Sequence, residues 1–380
     1  MTMTSLPGAA RDGRPVVRQL AVILVVCALV FVAPSFISSD FLINRVARYL
    51  VLAMLTMSLS LAWGYAGILN LGNAMSFGLG SYGLAMALKL KTVPVQTGAD
   101  GLPDFMAWNN VTRLPWFWQP FYSITFAIIA GIVVPALVAA ALGWFMFRGR
   151  VTGVYVAIMT LASMVVLNLV IIDQQPYTGG FNGITDLAQL ELFGVTFDAY
   201  GRSTYYLVAV CLTFSILLAF AFTQSKAGLI IQAIRDHESR VRFFGYDVAA
   251  YKIFAFALSA AIAGLAGMLY TIVMEFASPT FLGVPLSLSV VVWCAVGGRQ
   301  SLVGAFLGAL LVTGVQGALS EDPTFLETWT LVMGALFVLV VLFLPKGIAG
   351  LAQTLFERLF PRSHSLIEEA PSARRQESRQ

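Results

Sequence analysis

The side chains in this 380-residue chain that could do bond-breaking chemistry are few. Only two histidines occur, His237 and His364, both in polar stretches. The three cysteines, Cys27, Cys211 and Cys294, stand inside long apolar runs and form no CxxC pair. That spacing gives no reason to expect a histidine-based metal site, a zinc cluster or a disulfide framework. Gly78-Leu79-Gly80-Ser81-Tyr82-Gly83 spells GxGxxG with Asp100 downstream, but a dinucleotide site needs a strand before its glycines, and these follow an apolar helical run. No GxxxxGKS or GxxxxGKT phosphate cradle occurs, so any ATP-driven function needs a partner.

A carboxylate in hydrocarbon costs at least roughly 2.5 kcal/mol and marks ion coupling where it persists. Glu275 is the one candidate, near the outer end of its run. The other polar groups inside the apolar runs are neutral, among them Ser58, Asn73, Thr160, Ser163 and Asn168. Amides and hydroxyls of this kind can bind a small polar solute without holding it too tightly to release, or they can bond helix to helix. Both readings stay open for each. The candidates for a solute pathway are Asn73, Phe77, Tyr82, Thr160, Asn168, Asn182, Thr185 and Glu275.

The elements that must position these residues follow from composition. The chain is 58% hydrophobic and only 11% charged, against about 25% charged in a soluble domain. A surface that meets lipid needs little charge, so the fold class is all-α and polytopic. About 20 apolar residues span a hydrocarbon core, and that ruler predicts helices over Gln19–Ile37, Tyr49–Leu69, Phe121–Phe147, Val151–Ile172, Thr204–Phe222, Ile253–Met274 and Trp329–Leu344. Ala74–Leu90, Pro285–Val296 and Ser301–Leu319 are expected to be further spans broken by glycine, which makes about ten transmembrane helices. With both termini cytoplasmic, only Arg45, Arg48, Lys89, Lys91, Arg113 and Arg202 of the 23 Lys and Arg lie outside, a strong positive-inside bias. The net charge of +4 therefore belongs to cytoplasmic loops, and nucleic acid is not an expected partner.

Residues 1–18 read as a cytoplasmic N-terminal segment, 19–346 as the transmembrane domain and 347–380 as a charged cytoplasmic tail, disordered from about 361. Two long outer loops are expected. The first, Thr92–Pro120, carries Trp108, Trp116 and Trp118, which suit interfacial anchoring. The second contains Thr178-Gly179-Gly180-Phe181-Asn182-Gly183-Ile184-Thr185-Asp186, either a cap over a solute entrance or a plain connector. Glycines cluster at Gly64–Gly83 and Gly283–Gly308, the mark left by broken helices around a midplane pathway, whereas the literal GxxxG at Gly304 and Gly308 favours close helix packing.

The cytoplasmic stretch 225–252 holds a short amphipathic helix, with Leu229, Ile230, Ala233, Ile234, Val241 and Phe244 at helical spacing and Gly245 placed to end it. It fits a lever gripped by an ATPase and equally a helix lying on the lipid surface.

At this stretch the chain resembles the permeases of the branched-chain amino acid and urea ABC importers. The resemblance rests on Ala233-Ile234-Arg235-Asp236-His237-Glu238-Ser239-Arg240, then Phe244-Gly245-Tyr246, Trp63-Gly64-Tyr65-Ala66-Gly67, Arg150-Val151-Thr152-Gly153-Val154-Tyr155, Ala295-Val296-Gly297-Gly298-Arg299 and Leu344-Pro345-Lys346-Gly347. Leu102-Pro103-Asp104-Phe105-Met106 and Leu114-Pro115-Trp116-Phe117-Trp118 make it most similar to the urea-type second permease, although Asn73 stands where urea-type relatives tend to have His and amino-acid relatives Gln. The resemblance implies a non-enzymatic subunit of the bacterial inner membrane, translocating urea or alternatively a branched-chain amino acid by alternating access. It further implies a second homologous permease, two cytoplasmic ATPases that use the ATP, and a periplasmic solute-binding protein. No cofactor is implied for the chain itself. Arg235, Asp236, Glu238, Arg240 and Gly245 would lie in the ATPase-coupling helix. The rival classes are a stand-alone urea facilitator, which would conduct alone, and a membrane-embedded enzyme, which would need clustered His, Asp or Glu.

Overall fold

A computed structural model of the chain describes residues 14–96, 101–192 and 194–319, together with 331, 334, 335, 338, 347, 348 and 350. The helices are α1 (Arg14–Val32), α2 (Asp40–Ser60), α3 (Asn73–Gln96), the short α4 (Asp104–Trp108), α5 (Ile124–Arg148), α6 (Val154–Asp173), the short α7 (Gln175–Thr178), α8 (Arg202–Gln224), α9 (Lys226–Phe243), α10 (Val248–Met274), α11 (Val284–Gly297) and α12 (Leu302–Leu319). Among the described residues six helical stretches are long and apolar enough to cross a bilayer: Asp40–Tyr65, Ile124–Arg148, Val154–Asp173, Arg202–Gln224, Val248–Met274 and Leu302–Leu319. Gln19–Ser35 and Val284–Gly297 are shorter apolar helices, and α3 has 24 residues. The chain is a multi-pass membrane protein. The expected tenth span, Trp329–Leu344, lies largely outside the described residues, as do the segment before Arg14 and the tail beyond Gly350.

Two helices run through the middle of the bundle. From Leu50 to Ala62 every residue along α2 is buried, and α10 packs against α2, α3 and α5. By contrast α5 and α6 turn Leu137, Phe145, Ile158 and Leu169 outward, an apolar face suited to lipid. Without a hydrophobic drive between helices in lipid, close approach depends on small residues. Gly80 on α3 faces Gly264 on α10, and Gly267 faces the Phe77 carbonyl, so tightly that a Cβ at either would overlap the opposing backbone.

The glycine-broken helices expected from the sequence therefore need correcting. Gly78, Gly80 and Gly83 lie inside one continuous α3, and Gly304 and Gly308 inside a continuous α12 packed on Gly297. The real interruptions fall between helices, at Ala66–Gly72 and at Gly298–Ser301.

Two boundaries also move. α2 starts at Asp40 rather than near Tyr49, so Arg45 and Arg48 belong to a helix and not to a loop. Arg45 Nη2 donates to the Gly317 carbonyl at 2.8 Å and so ties α2 to α12. Likewise α3 runs on past Leu90, carrying Lys89 and Lys91 inside it. The all-α expectation omitted one hairpin, β1 (Leu190–Leu192) and β2 (Val195–Phe197), paired antiparallel with Leu190 opposite Phe197. Its apolar-polar-apolar strands are only three residues each, too short for periodicity to single out.

Candidate functional site: the α9 end and the interior polar groups

Between α2 and α3 the chain leaves regular helix from Ala66 to Gly72, which is tolerated between spans only where protein groups take over the backbone hydrogen bonds. The π-helical turn Leu61–Tyr65 ends α2. In the segment that follows, Leu71 N donates to Thr160 Oγ1 at 3.1 Å, the Leu71 carbonyl accepts from Ser287 Oγ, and Gly72 N donates to Asn70 Oδ1 at 2.9 Å. Asn73, buried at the start of α3, donates from Nδ2 to Ser58 Oγ at 3.1 Å and to the Leu55 carbonyl at 3.3 Å. Asn73 and Thr160 are thus brought together, engaged in holding this crossing to α2 and α6.

Four of the strings that carried the resemblance meet at the α9 end. The π-turn leaves the Gly64 carbonyl free to accept, and Arg235 Nη1 donates to it at 2.6 Å. Arg235 Nε donates to Asp236 Oδ1 at 2.9 Å, and the aliphatic stem of Arg235 lies against Gly67, whose φ of +71° carries the turn. Gly64 also abuts the Arg299 carbonyl, which accepts from Ser60 Oγ at 2.8 Å. The Arg299 guanidinium sits 5.3 Å from the centre of the Trp63 ring. The backbone of Gly347 closes against Gly298. These residues are scattered along the sequence and converge on one point.

α9 is bent at this point. Ser225 caps it by accepting from Gly228 N at 3.1 Å, and His237 breaks the helical backbone with φ −149° and ψ 78°. Gly228, Ile231, Ile234 and Val241 are buried, the last two seven residues apart and so on one face across the bend, whereas Ala233 and Phe244, expected on the apolar face, are exposed. Beyond the bend Glu238 is clamped, its Oε2 accepting from Lys252 Nζ at 2.6 Å and its Oε1 from Arg242 Nη2 at 2.8 Å. Arg235 and Glu238 are therefore internal tethers, to α2 and α10 respectively. Asp236 and Arg240 face outward, and Gly245, with φ +85° and open space around it, makes the turn after the helix.

Sequence reasoning missed Phe243, 91% exposed beside an 80% exposed Phe244. Two adjacent phenylalanines just before a helix-ending glycine cannot both face inward, and that was the available signal.

At the opposite end the outer segments interlock. Lys89, only 1% exposed, pairs with Asp104 at 3.1 Å and with Asp186 at 3.9 Å, joining both long loops to α3. Ile184 and Ala277 exchange backbone hydrogen bonds of 2.8 and 2.9 Å, and Asn168 Nδ2 donates to the Pro279 carbonyl at 2.6 Å. The string from Thr178 to Asp186 thus docks on the segment after α10. Phe77 is buried in a ring cluster with Tyr270 and Phe281, centroids 5.3 and 6.1 Å away. Asn182, Thr185 and Glu275 are exposed at this end. Of the eight pathway candidates, Tyr82 alone lines one of the two described cavities, about 200 Å³ with Leu79, Trp118, Phe121 and Leu167 around it. Its hydroxyl has no hydrogen-bond partner among the described residues.

Comparison with known proteins adds the context for this geometry. Residues 41–341 match the family described as "Branched-chain amino acid transport system / permease component". The high-affinity branched-chain amino acid transport system permease protein LivM of Escherichia coli (strain K12) is 27% identical over 361 residues, 89% of this chain and 76% of that protein. The ribose import permease protein RbsC of Haemophilus influenzae is 23% identical, covering 81% of this chain and 87% of that protein. The LivH permease protein of the Escherichia coli branched-chain system is 23% identical over 78% and 91% respectively. No solved structure gives a significant match.

Proposed function

The chain belongs to the branched-chain amino acid transport system permease family, and we propose that it is the membrane subunit of an ATP-binding-cassette importer for a branched-chain amino acid. The observation that carries this reading is the family match together with a LivM relative aligned along 89% of the chain. The urea assignment is correspondingly demoted to a second reading. Its support is the outer strings Leu102–Met106 and Leu114–Trp118, and these have packing work of their own. Leu102, Phe105 and Met106 are buried, and Trp118 Nε1 donates to the Tyr177 carbonyl at 3.0 Å.

In this reading the α9 end is cytoplasmic, as the positive-inside bias requires. One of the two ATPase subunits grips α9 through Asp236, Arg240, Phe243 and Phe244, aromatic anchors rimmed by charge. Arg235 and Glu238 pass its displacement to α2 and α10, and the bundle alternates between outward and inward access. The solute arrives from a periplasmic binding protein, and a second homologous permease completes the pathway, with Tyr82 and the polar groups around Asn73 and Thr160 as candidate contacts. The chain itself forms and breaks no covalent bond. Uptake of labelled leucine, with urea and acetamide as competitors, in cells lacking and regaining this chain is the test. Restored leucine uptake that urea leaves untouched supports the reading, and restored urea uptake with none of leucine replaces it by the second.

A further inference from the structure

The α9 end holds a second feature beside the Glu238–Lys252 clamp. Between the last residues of α5, the second half of α9 and the start of α10 lies a cavity of about 250 Å³. Arg148, Arg150, Arg242 and Lys252 line it against Glu238 and Asp247, four cations to two carboxylates, a surplus of two positive charges. Both carboxylates are already committed. Glu238 accepts from Lys252 and Arg242, and Asp247 accepts from Arg148 Nη2 at 3.0 Å and from Ala250 N at 3.2 Å. Arg150 is exposed and makes no ion pair among the described residues.

The level of the cavity narrows what could fill it. Arg148 closes the apolar stretch Ile124–Arg148, so the cavity opens where hydrocarbon gives way to headgroups. One turn before it on α5, Trp144 and Phe145 are exposed. A basic hollow with two exposed aromatic rings one helical turn deeper on α5 offers arginines for a phosphate and an apolar wall for acyl chains. A soluble anion would use only the first of these.

We propose that this cavity binds the phosphate-bearing headgroup of an anionic membrane lipid, with Arg148, Arg150 and Arg242 as its ligands. The same oxyanion chemistry would accept free phosphate, and the exposed aromatic wall selects the lipid. Arg242 is on α9 and Arg148 on α5, so a bound headgroup bridges the two helices beside the Glu238–Lys252 clamp and holds α9 to the bundle. The site is independent of which solute the permease carries.

The test is native mass spectrometry of the full chain in detergent with phosphatidylglycerol, phosphatidylcholine and inorganic phosphate as probes. Retention of phosphatidylglycerol is expected to exceed that of phosphatidylcholine by about tenfold or more. Arg148→Gln with Arg150→Gln should remove most of that preference, while Arg148→Lys with Arg150→Lys keeps it and so reports on charge in a folded chain. Arg113→Gln with Arg202→Gln, exposed at the other end, should leave the preference intact. Equal retention of the two lipids, loss of preference in the distant control pair, or displacement of the lipid by millimolar inorganic phosphate would each overturn the proposal.

Discussion

Replacing Arg235 by alanine isolates the link between α9 and the rest of the bundle. Its guanidinium makes the 2.6 Å bond to the Gly64 carbonyl, and its stem fills the space over Gly67. A hydrogen bond from a charged donor contributes about 1.5–3 kcal/mol. Because Arg235 is partly exposed, the lower half of that range applies, about 1.5–2 kcal/mol, and every 1.4 kcal/mol is a factor of about ten in an equilibrium. Opening of α9 away from α2 should therefore become roughly ten to thirty times more frequent. The readout is hydrogen exchange of the full chain in lipid nanodiscs, which should quicken by that factor from Ile231 to Arg242 and stay unchanged in α5 and α12. Arg235→Lys should fall between, since an ammonium cannot bond Gly64 and Asp236 with the geometry of a fork. Unchanged exchange along α9 in Arg235→Ala would refute the tether.

Three further outcomes follow from the packing. Lys89→Met keeps the volume of a buried side chain but frees Asp104 and Asp186, both partly hydrated; a loss of about 1–2 kcal/mol should appear as a lower melting temperature and faster proteolysis of the two outer loops. Gly80→Leu drives a side chain into the Gly264 backbone and should abolish accumulation of the protein in the membrane, whereas Gly83→Ala, on the same helix but with only ordinary contacts of 3.6 and 3.9 Å waiting for its Cβ, should accumulate nearly normally. Phe243→Ser with Phe244→Ser should leave the isolated chain as stable as before, because neither ring is buried, and weaken capture of its ATPase partners at least about tenfold; unaltered capture removes these rings from the docking surface.

Much of the bundle was legible because membrane spans announce themselves by length and hydropathy. The spans at Phe121–Phe147 and Val151–Ile172 lie within three residues of α5 and α6 at each end. The start of α2 and the far end of α3 were not, because Arg45, Arg48 and Lys91 look like loop residues in one dimension, and neither the Gly317 carbonyl that Arg45 reaches nor the carboxylates that Lys89 meets stand beside them in the sequence. Lys89 is the clearest instance: nothing near it in sequence announces that Asp104 and Asp186 fold over it. The glycines misled for a related reason, since a glycine that breaks a helix and one that admits a neighbouring helix look the same in one dimension. At the α9 end the periodicity of 225–244 found the helix and Gly245 its end, but Phe244 falls one residue past the helix, at its C-cap, and is exposed rather than on the apolar face. That the Gly64, Arg235, Arg299 and Gly347 strings form one structure is a tertiary fact that no local spacing contains.

On the proposed reading this chain moves a branched-chain amino acid with energy supplied by partner ATPases. Proteoliposomes holding the chain with its partner permease and ATPases, given the cognate binding protein and labelled leucine, measure it directly. The account predicts accumulation of leucine against its gradient that requires ATP and disappears when the chain is omitted. Equilibration of urea by this chain alone, without ATP and with no accumulation of leucine, would contradict it.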